Sequence, residues 1–120
     1  MRGKLSVLVV DDDSGIRDSL AACLEAEGHH VTTAPNGAAG LERARELRPD
    51  LVIADLLMPV MTGHQLITAL RADAATAGLR VVLMTGATPQ QGAPPTGADA
   101  VLPKPFELEE LLALVHRLAR

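Results

Sequence analysis

Groups that could do chemistry follow the apolar runs of this sequence, each close to the end of its run. They are Asp11, Asp12, Asp13, Asp55, Thr85 and Lys104. In an open sheet of parallel strands, ligands bind in the crevice beyond the carboxyl ends of the strands. If the apolar runs are strands of such a sheet, several carboxylates, one hydroxyl and one ammonium group converge on one small pocket.

The chemistry of such a pocket follows from its charges. Clustered carboxylates repel one another, and without compensation at least one of them takes up a proton. A divalent cation removes this conflict, and Mg²⁺ suits a few carboxylate oxygens with water in its remaining octahedral positions. A carboxylate is also a nucleophile towards phosphorus, and Lys104 and Thr85 would then neutralise or hydrogen-bond the phosphoryl oxygens. The pocket therefore contains the groups needed to accept a phosphoryl group from a donor.

Short apolar runs rich in β-branched residues predict five strands, of which the second and fifth are the weaker candidates. The predicted strands occupy residues 5–10, 31–34, 51–54, 80–84 and 100–102. Helical patterns lie between them. Ser14 is expected to cap the first helix, Gly28 and Pro49 to end the first two, and the third to end near Gly78, while a leucine stripe over 108–118 marks the last. This alternation predicts right-handed crossovers and a doubly wound α/β sandwich with helices on both faces.

The connection between the fourth and fifth predicted strands departs from this alternation. Residues 85–99 contain three prolines and three glycines, which disfavour a helix. Thr88 could cap at most one turn after Pro89. We therefore predict a loop or a single turn there in place of a full helix.

Length and composition bound the class of protein. The chain has 120 residues, 48% of them apolar, which suits one domain over residues 1–120 with a core of its own. A formal net charge of −4 and the absence of Trp and Tyr disfavour a nucleic-acid-binding surface. No apolar run approaches the ~20 residues of a membrane-spanning helix, no signal-peptide pattern is present, and the single cysteine fits the reducing cytosol. We therefore expect a cytoplasmic protein that binds neither membrane nor nucleic acid directly.

The motifs together resemble those of the receiver domains of bacterial two-component response regulators, from Lys4 to the last predicted helix. They are Val9-Val10-Asp11-Asp12-Asp13, Asp55-x-x-Met58-Pro59-x-Met61-x-Gly63, Thr85 and Lys104-Pro105-Phe106, in the order that the family has them. The resemblance implies a flavodoxin-like, five-stranded parallel sheet in the order 2-1-3-4-5. The fourth helix of that fold would be shortened or replaced by a loop in this chain.

The resemblance also assigns a cofactor and a phosphoacceptor. It implies that Asp55 accepts the phosphoryl group and that Mg²⁺ is the cofactor. Asp12 would bind the ion directly and Asp11 mainly through water. Asp55 itself and the backbone carbonyl of Leu57 would be the further metal ligands.

The remaining carried-over roles concern the phosphoryl oxygens. Thr85 would bond one of them and Lys104 another, and the Lys104–Pro105 bond is expected to be cis. Two features depart from the family pattern. Val101 stands where the family often has Tyr or Phe, so an aromatic rotamer switch is impossible at that position. Leu57 and Ala87 stand where the family tunes dephosphorylation, and neither has a polar group to position an attacking water, which predicts slow self-dephosphorylation.

The leading interpretation is a switch in two-component signalling. A histidine kinase or phosphotransfer protein would phosphorylate it, and the change would reach a downstream protein or an output domain missing from this chain, with a homodimer as a further candidate assembly. It would be no enzyme beyond its own phosphorylation and dephosphorylation. The alternative is a receiver-like interaction module that works without phosphorylation. A dehalogenase-type phosphatase is disfavoured because its nucleophile follows the first strand, whereas the candidate here, Asp55, follows the third. A flavodoxin-like FMN-binding protein is disfavoured because its phosphate loop follows the first strand, where this chain has three carboxylates.

Overall fold

The computed structural model describes residues 4–56, 58, 60–85 and 97–118. Its strands are β1 (Ser6–Val10), β2 (His30–Ala34), β3 (Leu51–Asp55), β4 (Arg80–Thr85) and β5 (Ala100–Pro103). Its helices are α1 (Ser14–Ala26), α2 (Gly37–Leu47), α3 (Gly63–Ala72) and α4 (Leu108–Leu118). Each predicted strand is present, with bounds within one residue of those expected. None of these four helices is long and apolar enough to cross a membrane.

The strands form one sheet in the order β2-β1-β3-β4-β5, and every neighbouring pair is parallel. This confirms the doubly wound α/β class and the predicted strand order. The order reverses at β1, which pairs with β2 on one side and β3 on the other. Such a reversal leaves a crevice at the carboxyl ends of the strands, so the fold places a site beyond β1 and β3.

Two apolar layers enclose the sheet. Val7 and Val9 of β1 pack in a layer with α1 and α4, whereas Leu8 and Val10 pack on the other side with α2 and α3. Alternate residues of a strand point to opposite faces, so a strand buried on both faces reads as a continuous apolar run. Phe106, the only aromatic residue, packs against the first layer. Aliphatic side chains and methionines supply the fully buried residues of both layers.

Polar side chains decide where two of the helices begin and end, and they correct two expectations. Asp13, not Ser14, caps α1, because its Oδ1 accepts the backbone N–H of Ile16 at 3.1 Å. Helix α3 ends at Ala72 and not near Gly78. The hydroxyl of Thr76 donates to the Leu70 carbonyl at 2.7 Å, and this turn closes the helix early.

The chain between β4 and β5 is described only from Gly97 onwards, and the predicted loop falls largely on residues 86–96, outside the described residues. Gly97 has a φ of +96°, a region that favours glycine. The guanidinium of Arg71 donates to the Gly97 carbonyl, at 2.6 Å from Nη2, and to the Asp99 carboxylate at 3.0 Å. Asp99 also accepts the backbone N–H of Val81 at 2.7 Å. These bonds fix the start of β5 against β4 and α3.

Candidate functional site

The carboxyl edge of the sheet brings together the three carboxylates that the sequence predicts for one site. Asp11 and Asp12 directly follow β1, and Asp55 is the last residue of β3. One carboxylate oxygen of each residue lies within 4.8 Å of the other two. Asp11 is fully buried and Asp55 is 7% exposed, whereas Asp12 is exposed. The acids of two strands therefore form one cluster that reaches solvent at Asp12.

Asp11 is anchored through three of its polar groups. Its backbone N–H donates to the Ala34 carbonyl at 3.2 Å, and its Oδ1 accepts the backbone N–H of Asp13 at 2.9 Å. Its own carbonyl accepts a hydrogen bond from Nη1 of Arg17 at 3.0 Å. The other carboxylate oxygen, Oδ2, is buried and has no hydrogen-bond partner among the described residues. A buried polar atom without a partner is uncommon in native proteins and is explained by a ligand or a water at that place.

Burial raises the pKa of the Asp11 carboxyl group above its ordinary value. Desolvation is the largest cause, and the negative charges of Asp55 and Asp12 act in the same direction. The hydrogen bond from the Asp13 backbone and the positive charge of Lys104 oppose the rise without cancelling it. The cluster is therefore short of positive charge, which a bound cation would supply.

Lys104 provides the ammonium group predicted for the site. Its Nζ donates to Oδ1 of Asp55 at 3.1 Å. Its backbone N–H donates to the carbonyl of Thr85 at 2.7 Å, and the Lys104–Pro105 bond is cis, as predicted. Asp55 is in register with Met84, so Thr85 ends β4 one residue further along and is 7% exposed. All the predicted side chains therefore lie at the carboxyl edge of the sheet.

Leu56 and Gly63, on either side of the segment between β3 and α3, are held closely together against the core. The backbone N–H of Gly63 donates to the Leu56 carbonyl at 2.8 Å. A Cβ atom on Gly63 would lie 2.6 Å from Cδ1 of Leu83 and 2.7 Å from the carbonyl oxygen of Asp55. Only glycine fits there without displacing the backbone that carries Asp55. The predicted backbone ligand, the carbonyl of Leu57, lies outside the described residues.

Val60, in the same loop, adopts a conformation that its residue type disfavours. Its φ is +71°, and its side chain is 95% exposed. A β-branched residue in this region is an outlier. The next residue, Met61, turns inward and packs over Gly37, where a Cβ atom would come within 2.8 Å of the Met61 side chain. The left-handed turn thus directs Met61 into the protein and Val60 into solvent.

The side chains of the cluster fit a magnesium ion. All the available donor atoms are oxygens, which hard divalent cations prefer. Asp11, Asp12 and Asp55 contribute three carboxylates, and Lys104 contributes one ammonium group. Asp11, whose Oδ2 has no partner among the described residues, is one of the three acids of this cluster, so a divalent cation would supply the missing charge and its bound water the missing partner.

Arg17 is the part of the site that the motifs did not predict. It lies on α1 within the first turns after the acidic segment, and its guanidinium reaches back to the Asp11 carbonyl. The available signal was an arginine four residues after the capping Asp13, which is one helical turn and therefore on the same side of the helix. Asp13, the third acid after β1, is exposed and caps α1, so its carboxylate serves the helix and is not part of the cluster.

Comparison with known proteins identifies what the chain is similar to. The family model for the response regulator receiver domain matches residues 7–116. The transcriptional regulatory protein PrrA of Mycobacterium tuberculosis is 43% identical over 115 residues, which are 95% of this chain and 49% of that protein. The DNA-binding dual master transcriptional regulator RpaA of a Synechocystis species is 38% identical over 117 residues, 95% of this chain and 48% of that protein. The chain spans about half the length of these curated relatives.

Solved structures agree with these sequence matches. The chemotaxis protein CheY4 of Vibrio cholerae superimposes with a TM-score of 0.87 at 34% identity, covering 96% of this chain and 98% of that one. The response regulator protein TrrA of Thermotoga maritima, solved in complex with Mg²⁺ and a beryllium fluoride group, gives a TM-score of 0.85 at 30% identity. That match covers 98% of this chain and 99% of the other.

Proposed function

The chain belongs to the response regulator receiver domain family of two-component systems, and from that premise we propose that Asp55 accepts a phosphoryl group in a Mg²⁺-dependent reaction. The donor would be a histidine kinase or a histidine phosphotransfer protein. The single observation that carries the proposal is the place of Asp55. It is a nearly buried carboxylate that lies within 4.8 Å of two other carboxylates and 3.1 Å from an ammonium group.

In this proposal Asp55 is the nucleophile. A carboxylate oxygen forms the new bond to phosphorus while the bond from phosphorus to the donor breaks and the donor leaves with that electron pair. Nζ of Lys104, already at Oδ1 of Asp55, holds a phosphoryl oxygen and offsets its charge. The hydroxyl of Thr85, at the end of the neighbouring strand, bonds a second oxygen. Positioning and charge stabilisation supply most of the catalysis in phosphoryl transfer.

Asp11, Asp12 and Asp55 would hold Mg²⁺, together with the backbone carbonyl of Leu57. When bound, the ion would offset the negative charge that the carboxylates and the incoming phosphoryl group bring to one place. Asp12 is the most accessible of the three carboxylates and would be a direct ligand. Asp11, whose Oδ2 is buried and unpartnered, would act on the ion mainly through water.

The output of the phosphorylated state would lie outside this chain. The relatives include proteins named as DNA-binding regulators, and the chain matches about half of each. We therefore assign to this chain the reception of the signal, with its own phosphorylation and dephosphorylation as its only chemistry. A further domain, a downstream protein or a second copy of the chain would receive the change as a shift between inactive and active conformations.

Intact mass measurement tests the proposal. The protein is incubated with acetyl phosphate, with and without Mg²⁺, beside an Asp55→Asn variant. We expect the unaltered protein to gain the mass of one phosphoryl group only when both acetyl phosphate and Mg²⁺ are present. Neither the Asp55→Asn variant nor the EDTA-treated protein should gain it. Because the chain has no Trp, mass is a better readout here than quenching of tryptophan fluorescence.

The competing interpretation makes the opposite prediction. A receiver-like module that binds its partner without phosphorylation would bind Mg²⁺ and still gain no mass. To separate this from rapid loss of the group, the reaction is quenched in acid within seconds of mixing and followed over time. An adduct that survives in Asp55→Asn would also overturn the assignment, since another residue would then carry the phosphoryl group.

A further inference from the structure

We propose that Arg17 is a positioning residue for the Mg²⁺ site, which fixes the peptide group between Asp11 and Asp12 and thereby sets the affinity for the ion. The inference rests on the proposed function, because it concerns the same cation. Arg17 lies on α1, is half-buried, and its Nη1 donates to the carbonyl oxygen of Asp11 at 3.0 Å. It touches neither the phosphoacceptor nor the metal position, so it acts through the peptide group that it holds.

That peptide group connects two of the expected metal ligands. The carbonyl belongs to Asp11 and the nitrogen of the same plane belongs to Asp12. Because the peptide group is planar, the direction of its carbonyl restricts ψ of Asp11 and φ of Asp12 together. A rotation of the plane would move the Asp12 carboxylate relative to those of Asp11 and Asp55, which now lie within 4.8 Å of it. The Arg17 hydrogen bond opposes that rotation.

The remaining hydrogen bonds of Asp11 show what the bond from Arg17 adds. The Ala34 carbonyl holds its backbone N–H, and the Asp13 backbone holds its Oδ1. The Asp13 bond closes an Asx turn around the peptide group between Asp11 and Asp12, and the Arg17 bond holds the carbonyl of that same group. With the Arg17 bond in place, Oδ2 is the one polar atom of Asp11 left without a protein partner among the described residues. Every other polar atom of Asp11 is thus held by the protein, and Oδ2 is left available to a ligand.

Arg17 does this without competing for the carboxylates. Among the described residues, the ion pairs are Arg45–Asp73, Arg71–Asp99 and Lys104–Asp55, so the Arg17 guanidinium pairs with no carboxylate within 4.0 Å. A positively charged side chain that paired with the carboxylate of Asp11 or Asp12 would have to be displaced before Mg²⁺ could bind there. By bonding a backbone carbonyl, Arg17 orders the loop and leaves the carboxylate oxygens available to the ion.

Helix α1 fixes the backbone position of Arg17. Its N-terminus is capped by Asp13, and the backbone N–H of Arg17 donates to the Asp13 carbonyl at 2.9 Å. Residues of the first turn of α1 thus donate three hydrogen bonds to the acidic loop 11–13, two to Asp13 and one to the Asp11 carbonyl. Arg17 can orient the loop because its own backbone is part of the helix that the loop begins.

Mg²⁺ titration by isothermal calorimetry tests the inference on the whole chain. Arg17→Met keeps an unbranched side chain but removes every donor, and we expect the Kd for Mg²⁺ to rise about tenfold, at the lower end of the effect of removing a bond that orients a metal ligand. Arg17→Lys restores one donor and should bind with intermediate affinity. The matched control is Arg43→Met, because Nη1 of Arg43 likewise donates to a backbone carbonyl, that of Thr33 in β2, and Arg43 forms no ion pair among the described residues.

The outcomes separate positioning from a general structural role. Unchanged Mg²⁺ affinity in Arg17→Met, with a lower urea midpoint of unfolding, would overturn the inference and leave the proposed function standing. An equal loss of affinity in Arg43→Met would also overturn it, since the effect would then be general. If Arg17→Met fails to fold, Arg17→Gln is titrated instead, because its amide nitrogen ends two atoms short of the position of Nη1: wild-type affinity there contradicts the inference. Absence of Mg²⁺ binding in the unaltered protein would instead overturn the proposed function as well.

Discussion

The ammonium group of Lys104 lies 3.1 Å from the carboxylate of Asp55, although 49 residues separate the two in the chain. Their strands are not neighbours, because β4 lies between β3 and β5. Lys104 therefore reaches across the end of β4, where Thr85 accepts its backbone N–H. One residue is thus tied to the ends of two strands, and its charge is set beside the proposed nucleophile.

Replacing Lys104 by Met should slow phosphorylation of Asp55 far more than it weakens Mg²⁺ binding. In the proposed reaction the ammonium group would offset charge on the transferred group, and removal of one such donor costs on the order of 100-fold in rate. Mg²⁺ binding should be retained, since the substitution removes a cation that pairs with one of the expected ligands. Initial rates of mass gain in acetyl phosphate, together with Mg²⁺ titration, measure both effects.

Lys4, the only other lysine, provides the control for this prediction. It is exposed and precedes β1, at the edge of the sheet opposite the carboxylates. Lys4→Met should phosphorylate at the wild-type rate. Equal slowing in both variants would show that net charge, not the position of the ammonium group, sets the rate. Wild-type phosphorylation of Lys104→Met would contradict the role given to Lys104.

The fold and the place of the site were predictable because they depend on signals that the sequence carries locally. Apolar runs of strand length alternate with helical patterns, and the parallel sheet that follows must gather whatever stands at the strand ends. Asp11, Asp55 and Lys104 each directly follow or end such a run. Their convergence needed only the topology, not the details of packing.

The parts that were not predictable depend on atoms brought together by tertiary packing. The spacing of Arg17 from Asp13 places it on the side of the helix near the loop, but nothing in the sequence says that its guanidinium bonds to a carbonyl there. The left-handed turn at Val60 contradicts the preference of its residue type, so local propensity points the wrong way. The early end of α3 follows from the bond of the Thr76 hydroxyl to the Leu70 carbonyl. Asp13 and Ser14 are adjacent and both are preferred cap residues, so the sequence does not say which of them caps α1.

The raised pKa of Asp11 predicts that its charge costs stability when no metal is bound. For an acid whose pKa is raised in the folded protein, the cost is absent below the ordinary value of 3.8 and grows as pH rises through the raised pKa. Asp11→Asn should therefore unfold at higher urea than the unaltered protein at pH 7 in EDTA, and the difference should vanish near pH 3. Urea unfolding followed by far-UV circular dichroism at both pH values measures this.

Mg²⁺ should stabilise the unaltered protein more than it stabilises Asp11→Asn. At a free concentration of ten times Kd, a ligand that binds only the folded state adds about 1.4 kcal/mol to the unaltered protein. Asp11→Asn should gain much less, because it lacks one of the charges that attract the ion. Asp18→Asn, at an exposed acid of α1, should match the unaltered protein in both conditions. A loss of stability in Asp11→Asn at pH 7 in EDTA would contradict the cost assigned to its charge.

Gly63 and Gly78 should respond in opposite ways to substitution by alanine. At Gly63 the added Cβ would lie 2.6 Å from the Leu83 side chain and 2.7 Å from the carbonyl oxygen of Asp55. The second contact is with backbone, which cannot rotate away, so we expect a loss of about 2 kcal/mol in the free energy of unfolding. The displaced carbonyl belongs to Asp55, the proposed phosphoacceptor, so phosphorylation should slow as well. Urea unfolding and initial rates of mass gain give the two values.

At Gly78 a Cβ atom would meet nothing within 4 Å, and the residue does not need a positive φ. Gly78→Ala should therefore raise stability by about 0.5 kcal/mol, because alanine restricts the unfolded chain, and it should leave phosphorylation unchanged. If Gly63→Ala were as stable and as active as Gly78→Ala, the loop after β3 would have room to move away from Leu83. Asp55 would then not depend on the close contact at Gly63 for its position.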